Sequence, residues 1–234
     1  MRSLPLALAS GLLLTGLLAG CTDDGDGADG QADPTPAEVL AQAKQKLDET
    51  SGVRLEVTSE ELPEDVTGLV SATGVLTSAP GFDGSIVVQY AGFTPEVPVV
   101  AVDGKVYAQL PLTTGWQEID PAEYGAPDPA ALMDPATGLS SFLTATTGVT
   151  EGDSVRGGAN NSEVLTSYSG TLPAATAAVI VPSVAGNVAA TYAVNDGGEL
   201  RSAQLVGDFY GTGAASTYVL TVDDYGTEQD ITAP

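Results

Sequence analysis

Residues 97–143 read VPVVAVDGKVYAQLPLTTGWQEIDPAEYGAPDPAALMDPATGLSSFL, and this stretch decides how the rest of the chain is arranged. Residues 97–102 and 106–110 are short apolar runs in which every second side chain can face a core, as in β-strands. Asp103-Gly104 between them suits a two-residue turn in which both central residues have positive φ. The first half of the stretch therefore predicts a β-hairpin.

The second half of the same stretch has the spacing of a helix. Asp128-Pro129 places a proline in the first turn, where its missing N–H removes no hydrogen bond. The larger apolar residues that follow recur at helical spacing: Leu132, Met133, Leu139, Phe142 and Leu143. An apolar helical segment is therefore expected to follow the hairpin and to cover the sheet that contains it.

The composition excludes several classes of function. The 234-residue chain has 31 acidic and 7 basic residues, a net charge of −24, and no histidine. Such an acidic surface repels nucleic-acid phosphates, so no nucleic-acid partner is expected. Without histidine there is no Ser-His-Asp or Cys-His nucleophile and no His-liganded metal. An apolar fraction of 43% still allows a core of ordinary size.

The amino terminus has the pattern of a lipoprotein signal peptide, residues 1–20. Arg2 precedes a leucine-rich apolar run, and residues 18–21 read LAGC, a lipobox that ends in the chain's only cysteine. Cys21 is therefore the expected site of lipidation, with palmitate among the expected acyl groups. The alternative is a buried free cysteine behind an uncleaved anchor, although the apolar run is short for a membrane span. Removing Arg2 leaves 6 basic residues and a net charge of −25.

The lipidated cysteine is expected to begin a flexible acidic tether, residues 21–36. Its sequence after the cysteine, TDDGDGADGQADPTP, has no apolar side chain larger than alanine and cannot bury itself. An EF-hand is excluded because Asp29 stands where the loop needs glycine and Thr35 where it needs a bidentate glutamate. The mature protein is thus expected to be anchored on the extracytoplasmic face of the cell membrane.

Residues 37–234 are expected to form a single domain that opens with an amphipathic helix at residues 36–50. One face of this helix carries apolar residues: Val39, Leu40, Ala43 and Leu47. Its polar face carries Lys44 and Lys46, which either contact anionic headgroups near the membrane or are simply solvated.

Strand patterns occupy most of the remaining domain. Five antiparallel strands are expected up to residue 110, beginning with the alternation of Val53, Leu55 and Val57. Further strands are expected after the central helix at residues 155–156, 164–171, 188–194, 200–206 and 217–222. A second apolar helix is expected at residues 173–181.

The small size of the strand residues has two interpretations. Many strand positions are Ala, Val, Thr or Gly, and only 6% of residues are aromatic. Either a concave sheet leaves space beneath the helices, or small side chains pack a complete core. No catalytic residue is assigned, because Asp223 and Asp224 are neighbours on a strand and point to opposite faces. The chain is therefore not expected to be an enzyme.

Three features resemble one known family: the lipobox, the run VVAVDGKVYAQL, and the run DPAALMDPATGLSSFL. They resemble the actinobacterial lipoproteins LppX, LprA, LprF and LprG, with LprG the most similar. The resemblance implies an α+β fold, a strongly curved antiparallel β half-barrel with helices covering the concave face around an apolar cavity. It also implies that the cavity holds acyl chains, with bound lipid as cargo and no cofactor.

The same resemblance implies a role in the cell envelope. Such proteins carry acylated lipids, of the triacylated glycolipid, lipoglycan or triacylglycerol class, from the plasma membrane toward the outer envelope. A major-facilitator exporter is an implied partner. The alternative is a membrane-tethered envelope interaction or adhesin-like β-domain without a lipid cavity, which would expose an apolar patch instead.

Family resemblance and strand alternation together assign the lining of the cavity. The assigned residues are Ile86, Val88, Tyr90, Val99, Ala101, Leu132, Met133, Leu139, Phe142, Leu143, Val179 and Ile180. Pro95 and Pro98 disturb the strand before the hairpin turn. The sequence therefore leaves open whether Val99 or Val100 faces inward, and whether Lys105, Arg156 or Arg201 lies near the opening.

Overall fold

The computed structural model describes residues 33–124 and 126–234. The predicted signal peptide, the predicted lipidation site Cys21 and the part of the predicted tether up to residue 32 lie outside the described residues. Residues 34–234 belong to one structural unit. No helix in the described part of the chain is long and apolar enough to cross a membrane.

The described residues form an eleven-stranded antiparallel sheet that does not close. The strands in chain order are β1 (Gly52–Glu60), β2 (Gly68–Thr77), β3 (Gly81–Gln89), β4 (Glu96–Val102), β5 (Lys105–Ala108), β6 (Gln117–Ile119), β7 (Thr147–Gly157), β8 (Glu163–Leu172), β9 (Val188–Asn195), β10 (Leu200–Gly207) and β11 (Ser216–Asp223). Their order across the sheet is β6-β5-β4-β3-β2-β1-β11-β10-β9-β8-β7. Pairing of β1 with β11 joins the two halves of the sheet.

The predicted hairpin is present as β4 and β5. Asp103 and Gly104 have φ of 55° and 70°, the two positive values that a tight hairpin turn of this kind requires. Val99 pairs with Ala108 and Val102 with Lys105 on either side of the turn. The sequence prediction of this hairpin is confirmed.

The two edge strands differ from the sequence prediction. β6 has only 3 residues, too few for a recognisable alternation, and it was not predicted. β7 is longer than residues 155–156, the part that was predicted. Most of β7 is exposed on both faces, and its pairing with β8 shifts register twice, so the sequence carries no alternating pattern there.

Helix α1 (Pro36–Glu49) begins at a complete capping box. The Glu38 backbone N–H donates to Thr35 Oγ1, and the Thr35 backbone N–H donates to Glu38 Oε2. The apolar face buries Leu40, Ala43 and Leu47. The helix predicted at residues 36–50 is confirmed.

The segment of residues 128–145 is broken where the sequence predicted helical continuity. It consists of a 3-10 helix (Pro129–Met133), a non-helical connection and helix α2 (Leu139–Ala145). Asp134 has extended φ and ψ of −64° and 123°, as expected for a residue that precedes a proline. The Asp134 carboxylate then accepts the backbone N–H groups of Ala136 and Thr137 in a turn.

The second predicted helix, residues 173–181, is much shorter in the structure. Helix α3 covers only Ala174–Ala177 and continues as turns through Val184. The β-branched run of residues 179–181 and the following Pro182 favour this early end.

The core lies on one face of the sheet, here called the inner face, which carries Val53, Leu55 and Val57 of β1. One continuous cluster of buried apolar side chains extends from this face to α1, α2 and α3. Helix α1 packs on α2 and touches β7 and β10, while the 3-10 helix Pro129–Met133 touches β2, β3 and β4. Short helical segments therefore lie on the inner face of both halves of the sheet.

Candidate functional site

The strand register identifies which predicted lining residues share the inner face. Residues directly opposite one another in an antiparallel pair project to the same face. Val57 pairs with Ala72, Ala72 with Ile86, and Ile86 with Val97, which places this row on the inner face. Val88 is two residues from Ile86 and projects the same way.

The register also answers which valine of β4 faces inward. Val99 pairs with Gly84 and Ala108, in the same row as Leu55. Val100 pairs with the exposed Asp83 and lies on the opposite face. Val99 is therefore an inner-face residue.

The twelve assigned residues differ in burial. Five are buried in the core: Val99, Ala101, Leu139, Phe142 and Leu143. Six are half-buried: Ile86, Val88, Leu132, Met133, Val179 and Ile180. Tyr90 lies past the end of β3, and 59% of its surface is exposed. Their role in lining a cavity stays a prediction.

The half-buried apolar residues concentrate at one end of the sheet. This end, the loop end, is where residues 61–67, 90–95, 109–116, 173–187 and 208–215 connect the strands. Several of its apolar residues pack against the core and remain partly exposed: Leu62, Leu69, Leu110, Val179, Ile180 and Val184. An apolar opening between sheet and helical segments would have its rim here.

A buried polar contact fixes the end of α2. The Thr146 hydroxyl and the Tyr192 hydroxyl on β9 are 2.7 Å apart, and Thr146 also donates to the Phe142 carbonyl. Burial raises the pKa of Tyr192 to about 12, so the phenol stays protonated and can donate. The contact stabilises packing of α2 on the sheet.

A lysine joins α1 to the broken segment. Lys44 Nζ is 2.8 Å from the Asp48 carboxylate, and it donates to the Pro135 carbonyl and to Ser140 Oγ. Lys44 was predicted only as part of a polar helix face. Its partners are 91 and 96 residues away in sequence, so no local pattern could identify this contact.

The ion-paired arginines Arg54 and Arg201 and the strand lysine Lys105 lie at the opposite end of the sheet, the turn end. Residues 78–80, 103–104 and 196–199 connect the strands there. Arg201 contacts Glu163, Glu199 and Asp223. Hydrogen bonding to Arg201 lowers the pKa of Glu163 and raises that of Arg201. Pairs at the same end are Arg54 with Asp224 and Lys105 with Glu118.

Two open grooves lie on the surface formed by the described residues. One, of about 520 Å³, lies at the loop end between residues 64–67 and the turn after β3. The other, of about 290 Å³, lies between α1 and residues 194–198. Among the described residues, no group of three or more acidic, His or Cys side chains is arranged to hold a metal ion.

Comparison with known proteins identifies the family. A sequence profile of the LppX_LprAFG lipoprotein family matches residues 35–233. The protein belongs to this lipoprotein family. The family resemblance drawn from the lipobox, hairpin and central segment is thus confirmed, while a particular likeness to LprG stays a prediction. No curated protein matches the sequence significantly.

Two crystal structures share the fold of this lipoprotein. LprF from Mycobacterium bovis has a TM-score of 0.69 at 17% identity, covering 85% of this chain and 96% of that chain. LppX from Mycobacterium tuberculosis has a TM-score of 0.61 at 17% identity, covering 86% of this chain and 100% of that chain. At this identity, the likeness concerns the fold alone.

Sequence reasoning missed several inner-face residues of the lipoprotein. On β2, Leu69 pairs with Val88 and Ala72 pairs with Ile86, so both β2 residues face inward. On β6, Ile119 pairs with Val106. A register shift between Leu69 and Ser71 interrupts the alternation that would have identified the β2 residues. Only the pairing of strands reveals them.

Proposed function

We propose that this lipoprotein binds acylated lipid between the inner face of its sheet and the helical segments, and carries it across the cell envelope. The observation that carries the proposal is the single apolar cluster between sheet and helices, whose margin at the loop end is only half-buried. Membership of the lipoprotein family supports the same function.

The number of strands supports a curved half-barrel, because strongly twisted open sheets rarely exceed about ten strands without curling, splitting or flattening. This open sheet has eleven strands. Helix α1 contacts β7 and β10, and the 3-10 helix Pro129–Met133 contacts β2, β3 and β4, so helical segments lie on both halves. Curling of the sheet around these segments is therefore part of the proposal.

A lipid carrier needs no catalytic group. Moving two acyl chains of about sixteen carbons from a bilayer into water costs on the order of 25 kcal/mol, at ~0.8 kcal/mol per CH₂. An apolar site of similar quality removes this cost if the polar head remains in water. The inner face supplies apolar side chains, and the half-buried margin at the loop end can leave a headgroup solvated.

Uptake of an acyl chain requires the helical segments to separate from the sheet, because Leu139, Phe142 and Leu143 are buried in the core. Residues 128–145 are the segment best suited to move. They form two short helical pieces with a non-helical connection rather than one rigid helix. Their displacement would open the inner face beside β2, β3 and β4.

The finer features of the function are part of the same proposal. The cargo is a triacylated glycolipid, a lipoglycan or a triacylglycerol, carried from the plasma membrane toward the outer envelope. Cys21 carries the lipid anchor that holds the protein at the extracytoplasmic face, and a major-facilitator exporter is its partner.

The test uses adjacent residues on opposite faces of β3. Ile86 projects to the inner face and Val87 to the other, and both are half-buried. Non-acylated protein is purified without detergent from an actinobacterial host as wild type, Ile86→Trp and Val87→Trp. Mass spectrometry should find stoichiometric acyl lipid in wild type and Val87→Trp. It should find little in Ile86→Trp, because the indole ring would occupy the space proposed for the acyl chain at the inner face.

Circular dichroism and thermal unfolding establish that each variant is folded. Wild-type protein that is folded but free of lipid, and that does not take up a fluorescent fatty acid from vesicles, would favour the envelope interaction domain instead. Equal lipid loss in both variants would contradict the proposed position of the site.

A further inference from the structure

Three large apolar side chains project into solvent at the loop end of the sheet. The exposed fractions are 59% for Tyr90, 72% for Phe93 and 107% for Leu112. Tyr90 and Phe93 lie in the connection between β3 and β4, and Leu112 lies in the connection between β5 and β6. Because β3, β4 and β5 are neighbours, these connections lie side by side at the loop end, and we call the three exposed side chains together the rim surface.

The rim surface has an ordered backbone. The Tyr90 and Phe93 backbones exchange two hydrogen bonds of 2.8 and 2.9 Å across Ala91 and Gly92, which both have positive φ. Gln89 Nε2 donates to the carbonyls of Pro63 and Val66, which attaches residues 61–67 to the end of β3. The two aromatic rings are therefore presented on a defined turn beside residues 61–67.

The charges around the rim surface are of one sign. The open groove of about 520 Å³ beside the turn is lined by Glu64 and Asp65. Both carboxylates are exposed, and neither makes an ion pair with another described residue. Residues 61–67, 90–95, 109–116 and 208–215 contain no lysine or arginine.

The turn end of the sheet differs in this respect. There Arg54, Lys105 and Arg201 each contact at least one carboxylate of this chain. The carboxylates of Glu64 and Asp65 lack such a partner within the described residues. Both are therefore free to pair with basic side chains of another molecule.

We propose that the rim surface docks a basic segment of a partner protein. Lysine or arginine side chains of the partner would pair with Glu64 and Asp65, and their cationic groups would stack on the rings of Tyr90 and Phe93. A bilayer is the less favourable occupant, because insertion of Phe93 would bring both carboxylates toward headgroup phosphates. The inference does not depend on lipid carriage.

The test measures anisotropy of a fluorescein-labelled, arginine-rich peptide at low salt. In the double variant E64Q/D65N we expect binding about fivefold weaker, since two exposed ion pairs are lost. The matched control E228Q/D230N removes the same charge from the exposed carboxyl-terminal residues and should change binding less than twofold. Phe93→Ser should weaken binding by about threefold, and Val155→Ser, an exposed residue on β7, should not.

Three results would overturn the inference. Equal weakening in the two charge variants would mean attraction to the net charge of −24 alone. If the wild-type protein does not bind the peptide, the rim surface is not a docking site for basic segments. Sedimentation with phosphatidylcholine vesicles that is lost in Phe93→Ser would identify the rim surface as a membrane contact.

Repeating the titration with Ile86→Trp separates this inference from the proposed function, because peptide binding should persist when lipid loading fails.

Discussion

Two of the helical regions that lie on the inner face of the sheet are built differently. α1 is one regular helix of 14 residues with a complete capping box at Thr35 and Glu38. Residues 128–145 form a 3-10 helix, a turn around Asp134 and the 7-residue α2, whose amino terminus has no side-chain cap. The first region has strong local signals, whereas the second depends on contacts with other parts of the chain.

This difference indicates which region can move. A short helix without caps is marginal alone and takes its stability from tertiary packing. Three contacts hold α2 in place. Phe142 is buried in the core, the Thr146 and Tyr192 hydroxyls are hydrogen-bonded, and Lys44 donates a hydrogen bond to Ser140. Weakening these contacts should loosen residues 128–145 and leave α1 in place.

The largest effect is expected for the buried ring of α2. Phe142 is 2% exposed, so Phe142→Ala should lower the free energy of unfolding by about 3–5 kcal/mol. Urea denaturation followed by circular dichroism measures it. Phe93→Ala, which truncates an exposed ring, should change stability by less than about 0.5 kcal/mol. Similar losses in both would contradict the packing of α2.

A smaller effect is expected at the closest backbone approach in the segment. A Cβ added at Gly138 would lie 2.3 Å from the Leu132 carbonyl oxygen and 2.6 Å from that of Asp134. Gly138→Ala should therefore cost about 2–3 kcal/mol, since backbone atoms must shift. Gly186→Ala, where a Cβ meets open space, should be close to neutral. A hydrogen-exchange measurement should show faster exchange in residues 128–145 of the Gly138 variant only.

The contact between the two regions should contribute less. Lys44→Met removes the hydrogen bonds to the Pro135 carbonyl and Ser140 and leaves Asp48 without its cation, at a cost of about 1–2 kcal/mol. If residues 128–145 move on lipid uptake, transfer of a fluorescent lipid from vesicles should be faster in this variant. Lys46→Met, on an exposed position of the same helix, serves as the control and should leave the rate unchanged.

The smallest effect is expected at the amino terminus of α1. Thr35→Ala removes the capping side chain and should lower the free energy of unfolding by about 0.5–1 kcal/mol. The control is Thr114→Ala in an exposed loop. Hydrogen bonds from Thr35 lower the pKa of Glu38. The stability that these hydrogen bonds contribute is fully present above the ordinary glutamate pKa. It is lost as the pH falls through the lowered pKa of Glu38. The difference between wild type and Thr35→Ala in thermal unfolding should therefore shrink in acid.

Features that depend on neighbouring residues could be predicted from the sequence. The hairpin turn at Asp103-Gly104 needs only two residues that tolerate positive φ, and α1 needs only its cap and apolar spacing. The break at residue 134 was also visible in principle, because a residue before proline avoids helical φ and ψ. The regular spacing of Leu132 to Leu143 outweighed that signal in the prediction.

Features that depend on strand register could not be predicted. Alternation along β3 assigned Tyr90 to the same face as Ile86 and Val88. In the structure β3 ends at Gln89, and Tyr90 lies in an exposed turn. For β4, Pro95 and Pro98 disturb the strand, so alternation could not choose between Val99 and Val100. Pairing of Gly84 with Val99 made that choice.

The sequence by itself determined the hairpin turn at Asp103-Gly104, helix α1, the lipobox pattern and the acidity of this lipoprotein, because each depends on a short stretch or on composition. The tertiary structure decided which apolar residues are buried, which carboxylates are paired, and that Lys44 joins α1 to residues 134–140. Pairing of Arg54 in β1 with Asp223 in β11 brings distant parts of the chain together. Contacts between such distant residues depend on the whole sheet, so no local pattern specifies them.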